Sequence, residues 1–575
     1  MKTLRILKPY LKGRIPLAIL ALLFAMLSVT CKMSVPFLTG ICIDQIRSGN
    51  LEIGTYLIVM ASLIAAGMVF RYVFDFLLAK LGQDIVKSIR DDVYHKLLSV
   101  PAKFIDRHYH GDLLLRLIGD IENVQTGFVT GVGAVFEGAV QILVTLTFLF
   151  TLNWLLALLV VLVTPLSIFV SKFISSHNAQ YFKDQAAALG SLHAFTLETM
   201  NNMETLKSFG QEKAWEGKFA TKSENVRKAN FKAAFAASWI NPGTRLVNNT
   251  IYAGVILFGA CMLLAKEQFS WSMVSFTIGG LSSFLTYTYQ YMAPFNEIAD
   301  ASGDILNALS SLKRINEVLT EDNDIDEGTL ALPKKITDLS AKDIVFGYDK
   351  GKTIIHGFDL EMKPGQKIAL VGTTGCGKTT IINLLMRFYD PQQGGFFVEG
   401  NSSTLYPKKD WRSHFGMVLQ DTWLEHASIK DNIAFGKEDA TMEEIVHAAK
   451  KAHADEFITR LKDGYDTIIG SEVSLSSGEK QLLCVARIML VKPEIILLDE
   501  ATSNIDLRTE LSLASSFDEL MKGKTSIVVA HRLSTIKNAD LILVMDKGKI
   551  VEKGTFADLL KKDGAFAALY KSQFA

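Results

Sequence analysis

Residues Gly372-Thr373-Thr374-Gly375-Cys376-Gly377-Lys378-Thr379 fit the pattern G-x-x-x-x-G-K-[ST]. They follow the apolar run "KIALV" and open the helical run "TTIINLLMRF". Glycines let backbone N–H groups wrap an anion, a lysine meets the β- and γ-phosphates, and a hydroxyl beside it can ligate Mg²⁺. Lys378 and Thr379 hold those positions, and Thr380 follows in the same first turn. A bare strand-to-helix turn is the alternative, and the strand and helix on either side argue against it. The run "EIILLDE", Glu494 to Glu500, supplies the matching acids. An apolar strand ending in two carboxylates sets Asp499 at the sheet edge beside a metal–phosphate group, with Glu500 placed to orient and deprotonate an attacking water. A third stretch, "LSSGE" from Leu475 to Glu479, again puts a glycine-containing loop ahead of a helical pattern. It has the form of a second phosphate loop in a chain that already has a better one.

The elements that must carry these groups fall into two kinds. The chain has 575 residues, 49% of them hydrophobic, with a mean hydropathy of +0.23. That is too apolar for an ordinary soluble enzyme of this length and predicts a membrane-embedded part. Six apolar runs, at 15–43, 55–78, 129–152, 154–173, 247–265 and 272–294, can each cross a ~30 Å hydrocarbon core, which takes about 20 helical residues. Leu152-Asn153-Trp154 joins the third and fourth as a tight hairpin. The stretches 79–128 and 174–246 are polar, helical in pattern and rich in lysine and arginine, whereas the other loops are short and carry few basic residues. By the positive-inside tendency, both termini and both long loops lie in the cytoplasm. The basic N-terminal residues ahead of the first run read as the flank of a retained anchor, not of a cleaved signal peptide.

Composition changes over residues 321–336, where "EDNDIDEGTLALPKKI" has acids, glycine and proline but no apolar period, and reads as a linker. From 337 to 575, short β-like runs alternate with helical ones, which predicts an α/β domain around a largely parallel sheet. The expected architecture is multi-domain: a six-helix transmembrane domain over 1–320, the linker, then a P-loop NTPase domain. With 60 basic and 60 acidic residues the net charge is zero, which offers nucleic acid no surface. The five cysteines are scattered, odd in number and without metal spacing.

Taken together, these motifs resemble those of the ATP-binding cassette (ABC) half-transporters with the six-helix exporter fold, over nearly the full chain. "LSSGEKQ" is similar to that family's signature LSGGQ. The resemblance implies that Tyr348 stacks on adenine, that Gln420 senses Mg²⁺ and the attacking water, that Asp506 lies in the loop crossing the dimer interface, and that His531 contacts the γ-phosphate. It implies that Mg²⁺ is held by Thr379, Gln420 and Asp499. It also gives "LSSGE" a use: Ser476 and Gly478 bind the ATP held by a partner chain. The first long loop resembles the family's first coupling loop, with Pro101, Asp106, Gly111, Asp112, Arg116 and Asp120 in order. The second matches at Glu198 and Glu212.

Departures from the family sit on the signature side. Ser477 and Glu479 replace a glycine and a glutamine, "IIGSEVSLSS" lacks a glycine and is about one residue short, and "WLEHAS" has Glu425 and His426 where an aromatic and a small residue are usual. The hydrolytic set of Lys378, Gln420, Asp499, Glu500 and His531 is complete. This asymmetry favours one subunit of a heterodimeric exporter over a homodimer. Within the membrane runs, ionisable residues are costly and call for a use. Lys32 and Glu137 are candidates for a substrate cavity; Tyr287 and Tyr291 share a face that could form an amphipathic wall, with helix packing the favoured alternative for both. Arg71 and Asp75, four apart, pair with each other. The implied activity is ATP-driven export of an amphipathic, drug-like or lipid-like small molecule across a bacterial plasma membrane. Import of metal-chelate complexes on the same fold, and an ATP-gated channel-like or regulatory protein, stay open.

Overall fold

The computed structural model describes residues 6–49, 53–264, 277–333, 335–349, 351–419, 422–470, 475–499, 507–530 and 533–574. It divides into two units, Met1–Leu98 with Gly111–Glu321, and Ser99–His110 with Asp322–Ala575. The short segment 99–110, expected to belong with the membrane helices, packs instead with the second unit.

In the first unit the apolar runs become six long helices: α1 Ile15–Arg47, α2 Gly54–Ser99, α3 Gly133–Leu152, α4 Trp154–Asn201, α5 Ile240–Leu264 and α6 Ile278–Leu319. Among the described residues, the stretches Ile15–Arg47, Gly54–Ser99, His110–Leu152 and Arg245–Leu263 are long and apolar enough to cross a membrane, and α4 opens with the shorter apolar stretch Trp154–Leu166. The start of the expected run at 272–294 lies outside the described residues. Large side chains such as Ile58, Leu143 and Leu162 are exposed; in hydrocarbon such exposure carries no penalty. The predicted hairpin forms at Asn153, whose side-chain oxygen accepts the N–H groups of Leu155 and Leu156, both at 3.1 Å, and so caps α4.

Helix contacts in this unit are made by small residues and by polar groups freed at prolines. α1 meets α6 at Gly40 and Gly279, where a Cβ on Gly279 would stand 2.0 Å from the Gly40 carbonyl oxygen. Pro294 inside α6 has no N–H for the carbonyl of Gln290. Gln141 of α3 takes that carbonyl instead, donating from Nε2 at 2.9 Å. Between the long loop and α3, a single turn of wider helix at Gly127–Val132 presses on α6, where a Cβ on Gly127 would meet that of Ala308 at 2.3 Å. Buried Asp120 ties the long loop to α6 by accepting from Ser311 Oγ at 2.9 Å and Arg314 Nε at 2.8 Å.

The second unit has two sheets. The antiparallel sheet runs β2-β1-β4-β5, built from β1 Leu339–Phe346, β2 Ile355–Met362, β4 Gln393–Val398 and β5 Asn401–Ser402. The larger sheet runs β10-β9-β3-β8-β7-β6, with β3 Lys367–Gly372, β6 Phe415–Val418, β7 Ile495–Asp499, β8 Thr525–Val529, β9 Leu541–Asp546 and β10 Lys549–Gly554. Its strands are parallel except β10, which closes the edge antiparallel to β9. β7 is buried at every residue, as a near-continuous apolar strand covered on both faces must be. Helix α7, Lys378–Leu385, leaves β3 through the phosphate loop, and its Ile381, Ile382 and Leu385 join Phe358, Leu370 and Trp411 in the main core. Helices α8 Ser477–Val491 and α9 Leu507–Met521 pack around a second core with Ile433, Leu483 and Phe517.

The linker is not loose. Asp326 accepts the Lys408 N–H at 2.9 Å, and buried Lys408 donates from Nζ to Asp324 at 2.6 Å. A Cβ on Gly328 would stand 2.0 Å from the Tyr406 carbonyl carbon, so only glycine lets the linker run this close to the domain.

Candidate nucleotide and transport sites

The phosphate loop is built by the turn from β3 to α7. Gly372, Gly375 and Gly377 have φ of +154°, +81° and +106°, a region that side chains with a Cβ rarely enter. A Cβ on Gly372 would lie 2.2 Å from the Met545 carbonyl oxygen, and one on Gly377 2.6 Å from Ile355 Cδ1. The loop therefore keeps its backbone at the surface of the cradle. Lys378 is buried, and its Nζ donates to the carbonyls of Gly372 and Thr373 at 2.8 and 3.0 Å. An ammonium parked on carbonyls inside the loop is preorganised for phosphate oxygens. Cys376 is buried, its N–H donating to Thr373 O at 3.2 Å and its carbonyl accepting from Gly548 at 3.1 Å. Thus Cys376 and Thr373 shape the turn.

Thr379 Oγ1 donates to Asp499 Oδ2 at 3.0 Å. The end of buried β7 and the first turn of α7 thus bring a hydroxyl and a carboxylate, 120 residues apart, into contact. A hydroxyl and a carboxylate at a helix N-terminus are an all-oxygen set suited to Mg²⁺. Tyr348 is half-buried and packs edge-on against Phe346 at 5.0 Å and Tyr389 at 4.9 Å, while its hydroxyl lies 3.4 Å from Thr380 Oγ1. The structure thus brings Tyr348, Lys378, Thr379, Thr380 and Asp499 to one end of the sheet. Gln420, Glu500, Asp506 and His531 lie outside the described residues.

Tyr389 was not expected from the sequence. It donates a hydrogen bond to Asp106, in the helix Ala102–Arg107 of the first long loop. Burial first, and the Asp106 carboxylate second, push the Tyr389 hydroxyl far above its ordinary value, so it stays a donor. Beside it Arg107 donates to the Tyr348 carbonyl at 3.3 Å and lies 3.8 Å from Asp349.

"LSSGE" forms the start of α8. Ser476 caps the helix, its side chain accepting the Glu479 N–H at 3.3 Å while Glu479 Oε2 accepts the Ser476 N–H at 2.8 Å. This reciprocal capping box needs an acceptor three residues in, and Glu provides it as well as Gln does. Ser476 and Ser477 are exposed, and Gly478 is buried. Two further departures meet in space: a Cβ on Gly470 would lie 2.2 Å from the His426 ring, and Ile469 donates its N–H to Ala427 O at 3.0 Å.

Within the first unit, α1, α2, α3 and α6 surround a cavity of about 920 Å³. Lys32 and Glu137 line it, as do Arg71 and Asp75. Arg71 pairs with Asp75 at 2.9 Å, as their spacing predicts, and also with Glu137, a partner that sequence distance conceals. Tyr287 and Tyr291 do not line the cavity, which corrects their place among the cavity candidates and agrees with the packing role favoured for them. Tyr287 is fully buried, stacks on Phe148 at 5.1 Å and donates to the Met33 carbonyl; Tyr291 packs edge-on against Phe295 at 5.4 Å. Their shared face is a packing face, held by α1 and α3. The α6 residues that reach the cavity are Ser282, Ser283, Thr286 and Gln290.

Residues 18–295 match the family described as ABC transporter transmembrane region, and residues 355–503 match ABC transporter. The ABC transporter ATP-binding protein YfiC of Bacillus subtilis is 32% identical over all of this chain and 94% of its own length. A fatty acid ABC transporter ATP-binding/permease protein of Mycobacterium bovis is 34% identical over 84% of this chain and 76% of its own. An ATP-dependent lipid A-core flippase of Chromobacterium violaceum is 32% identical over 89% and 86%. Among solved structures, a bacterial Atm1-family ABC exporter with ATP bound superposes with a TM-score of 0.79 at 27% identity, covering 98% of this chain and 99% of that one. With a preformed phosphate loop, a paired Thr379 and Asp499, and a cavity among membrane helices in one chain, these likenesses have one meaning: the chain belongs to the ABC transporter family, as an exporter-type half-transporter and ATPase.

Proposed function

We propose that this half-transporter exports amphipathic, drug-like or lipid-like molecules by alternating access, with nucleotide-domain closure turning the helices outward and hydrolysis resetting them. The observation that carries this reading is the cavity of about 920 Å³ among α1, α2, α3 and α6, which mixes an apolar wall with charged and hydroxyl groups. The activities for which two relatives are named, fatty acid transport and lipid A-core flipping, support a lipid-like cargo. We place both termini and the nucleotide domain in the cytoplasm of a bacterial cell and the helices in its plasma membrane, on the basic residues of the long loops.

In this reading Tyr348 stacks on adenine, while Gly372, Thr373, Gly375, Cys376, Gly377, Lys378 and Thr380 bind the phosphates. Thr379 and Asp499, already in contact, hold Mg²⁺ together with Gln420. When bound, Mg²⁺ neutralises phosphate charge. Glu500 takes the proton of the attacking water, His531 stabilises the γ-phosphate, and Asp506 faces the dimer interface. Ser476 and Gly478 bind the ATP of a second half-transporter, and a different chain is the favoured partner.

The test is transport in proteoliposomes that hold the assembled transporter, this chain together with its partner half, with the nucleotide domains facing the bath. A fluorescent lipid and a cationic dye are offered as cargo, with ATP and Mg²⁺ outside and Glu500→Gln as control. Export predicts Glu500-dependent movement from the bath-facing leaflet to the lumen. Movement out of the lumen would make the protein an importer, and an ATP-gated, Glu500-insensitive leak would make it a channel.

A further inference from the structure

The cavity holds four charged side chains, and only one of them stands alone. Arg71 is shared by Asp75 and Glu137, one on its own helix and one on α3. Lys32, on α1, lines the same cavity and has no hydrogen-bond or ion-pair partner among the described residues. The two helices touch at Gly67, where a Cβ would lie 3.3 Å from Cys31 Cβ and 4.0 Å from the Lys32 nitrogen, and Ser28 Oγ donates to Gly67 O at 3.1 Å. That close approach sets Lys32 one helical turn from Arg71 along α2. An unpaired ammonium at membrane depth costs several kcal/mol unless something neutralises it.

Across the cavity, α6 adds a second unmet group. Gln290 Oε1 is buried without a hydrogen-bond partner, and its amide can be turned to present its N–H₂. Val29, Leu63, Ile64 and Met68 form the apolar wall. The volume, about 920 Å³, is that of a site for one small molecule, typically ~300–1,000 Å³.

We propose that this cavity selects a single-chain amphiphile with an anionic head, carboxylate or phosphate, with Lys32 as its counter-ion and the Gln290 amide as its hydrogen-bond partner. The Arg71–Asp75–Glu137 group carries one surplus negative charge, so it repels the head and directs it to Lys32. The chain then lies along Val29, Leu63, Ile64 and Met68. The inference deepens the reading of the protein as an exporter of amphipathic molecules by fixing the charge of the cargo. It rests on that reading only for transport, because equilibrium binding needs neither ATP nor direction.

The experiment is therefore binding to the nucleotide-free transporter in nanodiscs of neutral phosphatidylcholine. Four probes of equal chain length compete with a labelled acyl carboxylate: an unlabelled carboxylate, a monoalkyl phosphate, an alkyl trimethylammonium and a fatty alcohol. The two anions should bind tightest, the cation and the alcohol weakly. Lys32→Gln should weaken both anions by about tenfold or more, as expected for loss of a charge-assisted hydrogen bond, and leave the alcohol unchanged. Lys32→Arg should restore anion binding, which also shows that the variants fold. The ratio of carboxylate to phosphate affinity tells a free fatty acid from a phosphate-headed lipid. Tighter binding of the cation, or anion binding insensitive to Lys32→Gln, overturns the proposal. Failure of transport with anion binding intact would instead count against export.

Discussion

At the scale of single residues, the phosphate loop was legible because its chemistry is written in consecutive positions: Lys378 and Thr379 follow their glycines directly, the first folded onto the loop's carbonyls and the second against Asp499. Glu479 shows the opposite case. In sequence it is a departure from a glutamine, yet in space it completes the capping box of α8 as a glutamine would. What remains different is charge. A carboxylate near a bound γ-phosphate is repelled by it, by ~1 kcal/mol for unit charges about 4 Å apart and fully screened by water. Glu479→Gln is expected to leave thermal stability unchanged and to lower the ATP concentration for half-maximal ATPase of the assembled transporter by roughly fivefold. Unchanged ATP dependence would show that the Glu479 carboxylate faces away from nucleotide. Gln420, Glu500, Asp506 and His531 were equally legible as motif residues; the role of Glu500 is read from the strand end it closes, and those of the other three rest on the resemblance.

At the scale of elements, the sequence gives helices and strands their periods but hides what joins them. Tyr389 and Asp106 are 283 residues apart, and no spacing rule spans that distance. Nor could the linker acids Asp324 and Asp326 announce that Lys408 would hold them, since an acidic, aperiodic stretch reads as loose chain. The Tyr389 contact has a consequence for coupling. Its ring packs edge-on against Tyr348 and its hydroxyl holds Asp106 of the helix Ala102–Arg107, so one side chain bridges Tyr348, for which we propose adenine stacking, and the first long loop. Tyr389→Phe keeps the aromatic packing and removes only the bond to the carboxylate, worth about 1.5–3 kcal/mol. ATP affinity should persist, while stimulation of the ATPase by transported lipid should fall toward the basal rate. Loss of ATP binding, with stimulation retained in the residual activity, would assign Tyr389 to the nucleotide instead.

For the whole molecule, the open quantity is the identity of the second chain. An ABC site needs a phosphate loop from one chain and a signature from the other, so the two halves of this chain are tested separately by any dimer it forms. The Walker half is preformed, with Lys378 parked in its loop and Thr379 on Asp499. On the other side, Glu479 is accommodated, but Ser477 stands exposed where the family has glycine, and the His426 ring lies where a side chain on Gly470 would go. In the heterodimer we propose, a partner would supply the better signature. The chain expressed alone and reconstituted in nanodiscs is then expected to be monomeric, or dimeric with no turnover above its Glu500→Gln control. Mass measurement and Mg-ATPase assay decide it. If the lone chain is instead a stable dimer with Glu500-dependent turnover, "LSSGE" is a working signature and the transporter is a homodimer. The double change Ser477→Gly with Glu479→Gln tests the signature as the cause of inactivity: turnover gained by the lone chain locates the defect in these two positions, and continued inactivity locates it outside them.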